Sequence, residues 1–186
     1  MLASMQVEKG GLGVATATLP RVLLGGDLYK LGYVVANRDQ AVRALEDEYG
    51  FEPLAHAEVR FEALLPDGSR VQTHLACALT TGRAHLIEIM QPVSGAVDLW
   101  ADVLREPGPL LRFHNIGLLT DDLDGVKATA ARHRLPLELS AESEGVWSFA
   151  YHRVPLLGHL VEHIQYFGAA GDELDHIRDL RQDSSA

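Results

Sequence analysis

Two glutamates stand at matching places in two similar segments of the chain, and both have the chemistry of a reactive site. Glu88 lies in the segment HLIEIMQ (85–91), and Glu162 lies in HLVEHIQ (159–165). Each shares its strand face with apolar residues, Leu86 and Met90 in the first segment and Leu160 and Ile164 in the second. A carboxylate among apolar residues is costly unless it is paired, bound to a metal or facing a wet cavity. Two such carboxylates can move a proton as acid and base, or they can hold a divalent cation. The pattern therefore indicates one shared site.

A second pair of similar segments adds two more polar residues to this set. Lys30 stands two positions before Gly32, and Asn115 stands two positions before Gly117. Together, the two pairs of matching segments predict that the chain is an internal duplication.

The polar residues are expected to meet if the two halves are related by a pseudo-twofold axis. Side chains alternate between the two faces of a strand, so each polar residue has a defined face. On that basis Lys30, Glu88, Asn115 and Glu162 converge on one point. The neighbouring His114 is expected to point to the opposite face of its strand.

The elements that position these residues are predicted from short apolar segments rich in β-branched residues. In the first half, strands are expected near 28–35, 55–65, 70–79 and 84–91. In the second half, extended segments are expected near 113–119, 135–139, 146–152 and 159–166. A helix follows the first strand of each half, so the order in each is βαβββ.

The helix of the first half has recognisable end signals. Asp39 is predicted as its N-cap, and Gly50 is predicted to end it. Its apolar face is expected to consist of Ala41, Val42, Leu45 and Tyr49. In the second half Asp121, Asp122 and Asp124 offer caps for a helix that runs to about His133. A short helix around Trp100 is expected between the two halves.

These elements divide the chain into five parts. Residues 1–26 form an N-terminal arm, in which the glycine-rich segment 11–16 is a loop and not a dinucleotide motif. Residues 27–95 form the first βαβββ module, and 96–110 form a linker with a short helix. Residues 111–168 form the second βαβββ module, and 169–186 form a C-terminal tail.

Composition excludes several classes of protein. The 186 residues include 16 Lys and Arg against 26 Asp and Glu, a net charge of −10 that disfavours nucleic acid and anionic membranes. The apolar segments are too short for a transmembrane helix. The single cysteine, Cys77, excludes an internal disulfide and is expected to pack as an inert core residue. We therefore expect a cytoplasmic protein with a small-molecule partner, as a monomer or a homodimer.

The sequence resembles the vicinal oxygen chelate (VOC) superfamily, in the branch of glyoxalase-like proteins and methylmalonyl-CoA epimerase. The resemblance covers about residues 27–167 and lies in four segments that follow the family's order. These are YKLGYVV (29–35) with Asp39, LIEIMQP (86–92), FHNIG (113–117) with DDLD (121–124), and FAY (149–151) with LGHLVE (157–162).

This resemblance implies an α+β fold in which two βαβββ modules form a cupped mixed sheet, the glyoxalase/bleomycin resistance/dioxygenase-like fold. It also implies an isomerase or lyase that moves a proton next to a carbonyl or carboxyl group, in the cup between the modules. The family's metal-ligand positions fall on Lys30, Glu88, Asn115 and Glu162. A protonated lysine is not a ligand for a divalent cation.

Because Lys30 stands at one of the family's metal-ligand positions, three hypotheses for the site follow. In the first, the enzyme has no metal cofactor: Lys30 polarises a carbonyl, Glu88 and Glu162 act as acid and base, and Asn115 hydrogen-bonds the substrate. In the second, Glu88, Glu162 and Asn115 or a histidine hold Mg, Mn or Fe. In the third, the protein binds a small ligand without chemistry.

Aromatic residues near the polar set are candidates for contact with the substrate. Tyr33, Phe149 and Tyr151 are assigned to the wall of the pocket.

Overall fold

The computed structural model describes residues 25–80 and 86–168 of the chain. The expectations for most of the N-terminal arm, for the C-terminal tail and for the start of the strand near 84–91 concern residues outside these ranges.

Each half of the described chain contains four strands and one helix. In the first half these are β1 (Asp27–Val34), α1 (Arg38–Arg43), β2 (Ala55–Leu64), β3 (Arg70–Leu79) and β4 (Leu86–Gly95). A short helix, α2 (Asp98–Ala101), follows and ends in a 3₁₀ turn. The second half contains β5 (Arg112–Leu119), α3 (Leu123–Arg132), β6 (Leu137–Ser143), β7 (Trp147–Val154) and β8 (His159–Tyr166). Among the described residues, no helix has the length and apolarity that crossing a membrane requires.

The eight strands form one mixed sheet that closes into a barrel, in the order β1-β4-β3-β2-β6-β7-β8-β5. The β1–β4 and β5–β8 pairs are parallel, and the other neighbours are antiparallel. The predicted α+β architecture of two βαβββ units is confirmed. Its cup is closed on one side, because β2 pairs with β6 at Ala63–Ala141 and Leu64–Ser140.

The barrel interior holds the main hydrophobic core. Aromatic rings from three elements meet there: Phe61 of β2 contacts Phe149 of β7 edge-on at 5.4 Å and Trp100 of α2 at 6.3 Å. Cys77 is buried among these residues, and burial raises the pKa of its thiol. A second core lies outside the barrel, where α1 covers strands of the first half.

Two expectations about the helix of the first half were wrong. Its N-cap is Asn37, whose side chain accepts a hydrogen bond from the backbone N–H of Gln40 at 2.9 Å, and Asp39 lies in the first turn. Tyr49 is 73% exposed, because the helix widens into a π-helical turn over Ala44–Glu48 and shifts the later side chains off the buried face. Gly50 follows with φ of +69°, in the left-handed conformation that ends a helix.

Candidate functional site

The strand register brings the four predicted polar residues together inside the barrel. In the parallel pairs, Gly32 of β1 lies beside Glu88 of β4, and Gly117 of β5 lies beside Glu162 of β8. Where β1 crosses β5, Lys30 lies opposite Gly117 and Asn115 lies opposite Gly32. Each module therefore supplies a carboxylate, a polar side chain and a glycine to the same place.

Lys30 is the centre of this cluster. Its Nζ lies 2.7 Å from Oε2 of Glu88 and 2.9 Å from Oε2 of Glu162. The side chain of Lys30 is 8% exposed, and those of Glu88 and Glu162 are 12% and 3% exposed. One ammonium between two carboxylates leaves one excess negative charge in the barrel when both are ionised. A buried excess charge favours uptake of a proton or a ligand that offsets it.

Glu162 receives further hydrogen bonds from its own module. Asn115 Nδ2 donates to Oε2 of Glu162 at 3.0 Å, and the Tyr151 hydroxyl donates to the same oxygen at 3.1 Å. Among the described residues, the Glu88 carboxylate is paired with Lys30 alone. The two carboxylates are therefore unequal: Glu162 is held by several donors, and Glu88 is the freer group.

The repeated glycines make room for these side chains. A Cβ at Gly117 would lie 2.4 Å from Cγ of Lys30, and a Cβ at Gly32 would lie 2.2 Å from Oδ1 of Asn115. Each glycine thus accommodates the polar side chain of the other module. This is the physical basis of the spacing, a polar residue followed two positions later by glycine, that occurs in both halves.

Burial and charge act together on the titration of the cluster. Burial alone would lower the pKa of Lys30, but the Glu162 and Glu88 carboxylates raise it well above its ordinary value. Burial raises the pKa of Glu162; Lys30 opposes that rise and the charge of Glu88 adds to it. Burial and the Glu162 charge raise the pKa of Tyr151, so its hydroxyl stays protonated. A lysine whose pKa is raised thus lies beside a carboxyl group whose pKa burial also raises.

The cluster opens into a cavity of about 210 Å³ inside the barrel. Lys30, Glu88 and Glu162 form its polar part. The remaining wall is apolar and includes six aromatic side chains, Phe61, Trp100, Trp147, Phe149, Tyr151 and Tyr166. Ligand pockets commonly combine such an apolar wall with a few convergent polar groups. The cavity is smaller than the roughly 300–1,000 Å³ typical of sites for drug-sized ligands.

The aromatic residues assigned to the pocket fall on two different sides of the sheet. Phe149 and Tyr151 line the cavity. Tyr33 does not, because it follows Gly32 on the alternate face and packs outside the barrel, with its ring 5.6 Å from that of Phe113. The prediction that Tyr33 lines the wall of the pocket was therefore wrong.

The expectation that His114 points away from Asn115 was wrong. The register between β1 and β5 shifts where Asn115 pairs with Gly32 and Phe113 pairs with Tyr33, which leaves His114 as an extra residue. Such a β-bulge interrupts the alternation of faces. The His114 ring lies parallel to that of Trp100 at 6.0 Å and its Nδ1 lies 2.8 Å from Oδ1 of Asn115.

A matching bulge in β1 leaves Tyr29 as the extra residue before Lys30. Tyr29 is buried in the barrel core, and Nζ of Lys30 lies 5.5 Å from the centre of its ring. Each bulge therefore adds an aromatic ring beside the polar residue of its module. Periodicity in the sequence gives no signal for either bulge.

Trp100 is a further residue of the site that sequence analysis assigned only to a helix. It is fully buried, it lines the cavity, and its Nε1 has no hydrogen-bond partner among the described residues. A buried indole N–H usually finds a partner. Trp100 is therefore a second candidate donor, after Lys30, for a ligand oxygen.

The residues proposed as metal ligands do not fit a divalent cation in this arrangement. A metal shared by Glu88 and Glu162 requires the place between their carboxylates that the Lys30 ammonium takes. A protonated amine has no lone pair to offer a metal. Within residues 25–80 and 86–168, no group of three or more His, Cys, Asp or Glu side chains is arranged to hold a metal ion.

Comparison with known proteins gives matches only among solved structures. No protein-family model matches the chain, and no curated protein sequence matches it. Methylmalonyl-CoA epimerase from Mycobacterium tuberculosis has a TM-score of 0.50 at 17% identity, over 77% of this chain and 89% of that one. The Streptomyces coelicolor epimerase in complex with 2-nitronate-propionyl-CoA has a TM-score of 0.54 at 14% identity, over 77% and 99%. Both enzymes belong to the vicinal oxygen chelate superfamily.

The chain has the vicinal oxygen chelate fold. A hypothetical protein from Bacillus halodurans C-125 matches equally well, with a TM-score of 0.54 at 12% identity, over 78% of this chain and 98% of that one. At these identities the likeness concerns the fold, and a VOC fold alone does not fix a reaction. The interior cluster of this VOC-fold protein must therefore carry the functional argument.

Proposed function

We propose that the protein is a small-molecule isomerase or lyase that moves a proton at a carbon next to a carbonyl group. The observation that carries this proposal is the Lys30 ammonium held at 2.7 and 2.9 Å between two carboxylates, beside an apolar cavity. The epimerases of the same fold support the reaction class. Methylmalonyl-CoA has a carbon between two carbonyl groups, and inverting it requires that a proton leaves and returns.

Lys30 is the electrophile in this proposal. When a proton leaves the carbon next to a carbonyl, negative charge moves to the carbonyl oxygen. An ammonium fixed beside that oxygen stabilises the charge, and it does so most strongly where water is excluded. The pKa of Lys30 is raised well above its ordinary value, so the group remains a cation throughout the reaction. Trp100 Nε1–H is available as a second donor to the same oxygen.

Glu88 is the base. Its carboxylate lines the cavity and pairs with Lys30. Among the described residues, the hydrogen bonds from Asn115 and Tyr151 go to Glu162 and not to Glu88. A substrate oxygen bound to Lys30 would bring the neighbouring C–H close to Glu88. Removal of that proton by Glu88 leaves an enolate whose oxygen is paired with the ammonium.

Glu162 is the acid on the other side of Lys30. Burial raises its pKa, which favours the protonated form that can return a proton to carbon. Return from Glu162 to the face opposite Glu88 gives epimerisation, and return to a neighbouring atom gives isomerisation. Asn115 serves this carboxyl group and not the substrate, because its amide is bonded to Glu162 and fully buried.

The test is hydrogen exchange with solvent. The protein is incubated in D₂O with methylmalonyl-CoA, propionyl-CoA and short 2-oxo acids, and loss of the proton next to the carbonyl is followed by ¹H NMR. Glu88→Gln is expected to lower the exchange rate about 10²- to 10⁴-fold, the usual contribution of a positioned acid or base. Glu58→Gln is the matched control, because Glu58 is an exposed residue that pairs with Arg38 and His74.

A ligand-binding protein without chemistry is the second candidate, and one observation favours it. The charges of the cluster pair with one another within the protein, so the cluster has a structural role even without a reaction. In that case the wild type binds a probe without exchanging its protons, and Glu88→Gln changes the Kd alone. Exchange by the wild type that Glu88→Gln abolishes, with an unchanged Kd, supports the enzyme.

A further inference from the structure

Strand β2 has one edge that no other described strand covers along most of its length. On one side, β2 pairs with β3 over its whole range, Ala55–Leu64. On the other side, it pairs with β6 only at Ala63 and Leu64. In an antiparallel pair every second residue turns its N–H and C=O away from the neighbouring strand, so residues 55–62 present these groups along an open edge. Such an edge is a template for pairing with another strand.

The side chains of the open edge divide into a polar outer face and an apolar inner face. The outer face consists of four exposed residues, His56, Glu58, Arg60 and Glu62. The residues between them point into the barrel, as strand alternation requires. Phe61, which is one of them, is buried in the aromatic core of the barrel. The inner face therefore anchors the edge to the rest of the protein.

The charges of the outer face alternate in sign along the strand. Charged residues on a sheet edge often keep other chains away, and a row of one sign repels a second copy in every register. Alternating signs repel in some registers and attract in others. Within residues 25–80 and 86–168, Glu58 is paired with Arg38 and His74, whereas Arg60 has no carboxylate partner. Arg60 is thus a cation that can pair with a carboxylate of another chain.

A second copy of the chain is the partner that this row of charges fits. Two identical strands that pair in antiparallel fashion are related by a twofold axis, the commonest symmetry of homo-oligomers. Residues directly opposite each other in a sheet point to the same face. The axis must therefore pass through one residue of β2, and that residue lies opposite its own copy.

Charge selects one position for this axis. With the axis at Val59, Glu58 lies opposite the partner's Arg60, and Arg60 lies opposite the partner's Glu58. The same register places His56 opposite the partner's Glu62. With the axis at Glu58, that carboxylate lies opposite its own copy. With the axis at Arg60, two guanidinium groups lie opposite each other. Like charges directly opposite are destabilising, so only the axis at Val59 gives favourable pairs throughout.

The length of the open edge agrees with the same register. An axis at Val59 pairs residues 56–62 of the two copies and leaves Ala63 to its partner in β6. An axis at Phe61 would instead require Ala63, which β6 already pairs. On the inner face, the axis at Val59 places the small Ala57 opposite the partner's Phe61, so the two side chains there do not compete for space.

We propose that two copies of the chain associate through the open edge of β2, in the antiparallel register centred on Val59. The contact joins the sheets of the two barrels edge to edge. It does not rest on the proposed function, because the cluster around Lys30 takes no part in it.

Sedimentation of the full chain measures the association. The wild type is expected to change from monomer to dimer as its concentration is raised. Arg60→Glu replaces two ion pairs with two like-charge pairs, so the dissociation constant should rise about tenfold or more. Arg105→Glu is the matched control, because Arg105 is an exposed residue outside β2 that pairs with Asp102. Its dissociation constant should equal that of the wild type.

A mixture of two variants tests whether Glu58 and Arg60 lie opposite each other. Glu58→Arg and Arg60→Glu each bring like charges together in their own homodimers. In the mixed dimer every arginine lies opposite a glutamate, so this dimer should be about tenfold or more tighter than either homodimer. Glu58→Arg also loses its pairs with Arg38 and His74, but pairs of an exposed carboxylate contribute little to stability.

Engineered cysteines test the register. Val59 lies opposite its own copy, at a Cα separation of about 4.5–5.5 Å that a disulfide can span. Oxidation of Val59→Cys is therefore expected to give a covalent dimer. Ala57→Cys is the matched control, because it lies on the same face of the same edge but about 14 Å along the strands from its copy. The native Cys77 is buried and does not compete.

A wild type that stays monomeric at every concentration would overturn the proposal. A dimer that Arg60→Glu leaves unchanged would also overturn it, because the contact would then lie elsewhere. Cross-linking of Ala57→Cys as readily as Val59→Cys would contradict the register. If Arg60→Glu does not fold, the comparison of these two cysteine variants decides the question.

Discussion

Replacing Lys30 by methionine tests the electrostatics of the cluster most severely. The variant keeps the length of the side chain over Gly117 but removes the cation that lies 2.7 Å from Glu88 and 2.9 Å from Glu162. Since both oxygens lie within 3 Å of the lost Nζ, they are at most about 6 Å apart. At an effective dielectric constant of about 20, two like charges at that distance repel by about 3 kcal/mol. The expected loss of unfolding free energy at pH 8 is therefore about 3–5 kcal/mol, as for other broken buried ion pairs.

The loss of unfolding free energy in Lys30→Met should be larger at high pH than at low pH. Without Lys30, repulsion and burial raise the carboxyl pKa values in the folded state above their unfolded value of about 4.3. An acid whose pKa is higher in the folded state than in the unfolded state stabilises the fold at low pH, where it is protonated in both states. That stabilisation is lost as the pH rises through the pKa of the folded state. The deficit of Lys30→Met relative to the wild type should thus be large at pH 8 and shrink as the pH falls toward 5.

Urea unfolding at several pH values measures this difference. Lys30→Met/Glu162→Gln should recover most of the stability at pH 8, because a single carboxylate remains. Lys127→Met is the control: Lys127 is partly exposed and lies 3.9 Å from an exposed aspartate, so about 0.5 kcal/mol or less is expected. A Lys30→Met protein as stable as the wild type at pH 8, or a deficit independent of pH, would refute this reasoning.

Three further predictions follow from packing and burial. Gly117→Ala places a Cβ 2.4 Å from Lys30, so we expect a loss of about 1–3 kcal/mol in urea unfolding together with a lower exchange rate; unchanged stability would contradict the role assigned to the glycine. Burial lowers the pKa of His152 to about 4, so the folded protein favours the neutral imidazole. The resulting contribution to the free energy of unfolding is complete above the unfolded pKa of about 6.5 and is lost as the pH falls toward 4. The unfolding free energy of His152→Gln should therefore fall by up to about 3 kcal/mol less than that of the wild type between pH 6.5 and pH 4, as measured by urea unfolding at several pH values. Cys77 is buried and the pKa of its thiol is raised, so a thiol reagent should react with it only after unfolding; rapid labelling of the native protein would show that the core opens there.

The positions of the four polar residues could be predicted because strand alternation and glycine spacing are local patterns. Lys30 and Asn115 each precede a glycine by two positions, and the structure explains why: each glycine leaves room for the polar side chain opposite. The glutamates follow from the equivalent register of β1–β4 and β5–β8. The internal duplication itself stays a prediction from the sequence.

The position of the His114 side chain could not be predicted, because it depends on a register shift between two strands that are distant in sequence. A bulge changes the face of one residue without changing the apolar pattern of either strand. The prediction that Tyr33 lines the pocket was wrong for a simpler reason. It relied on the aromatic character of Tyr33 alone, whereas strand alternation places this residue on the face opposite Lys30. The closing of the barrel at Ala63 and Ala141 also has no sequence signal, since small residues at a strand end pair without a distinctive pattern.

A glutamine ends each of the two similar segments, at Gln91 and at Gln165, and the structure explains why. Oε1 of Gln91 accepts from the first backbone N–H of α1, at Arg38, at 2.7 Å. Oε1 of Gln165 accepts from the first N–H of α3, at Leu123, at 3.2 Å. Each glutamine thus ties the last strand of its module to the start of that module's helix, and satisfies a donor that the helix leaves open.

The central claim is that the Lys30 ammonium takes the place of a divalent cation between Glu88 and Glu162. The most direct measurement is the metal content of the untagged protein by plasma mass spectrometry, after dialysis and after separate addition of Mg, Mn, Fe, Co, Ni and Zn. We predict that the wild type retains metal far below one ion per chain under every condition. About one ion per chain, lost in Glu88→Gln/Glu162→Gln, would contradict the claim and show that Lys30 leaves the site to an oxygen-coordinated metal.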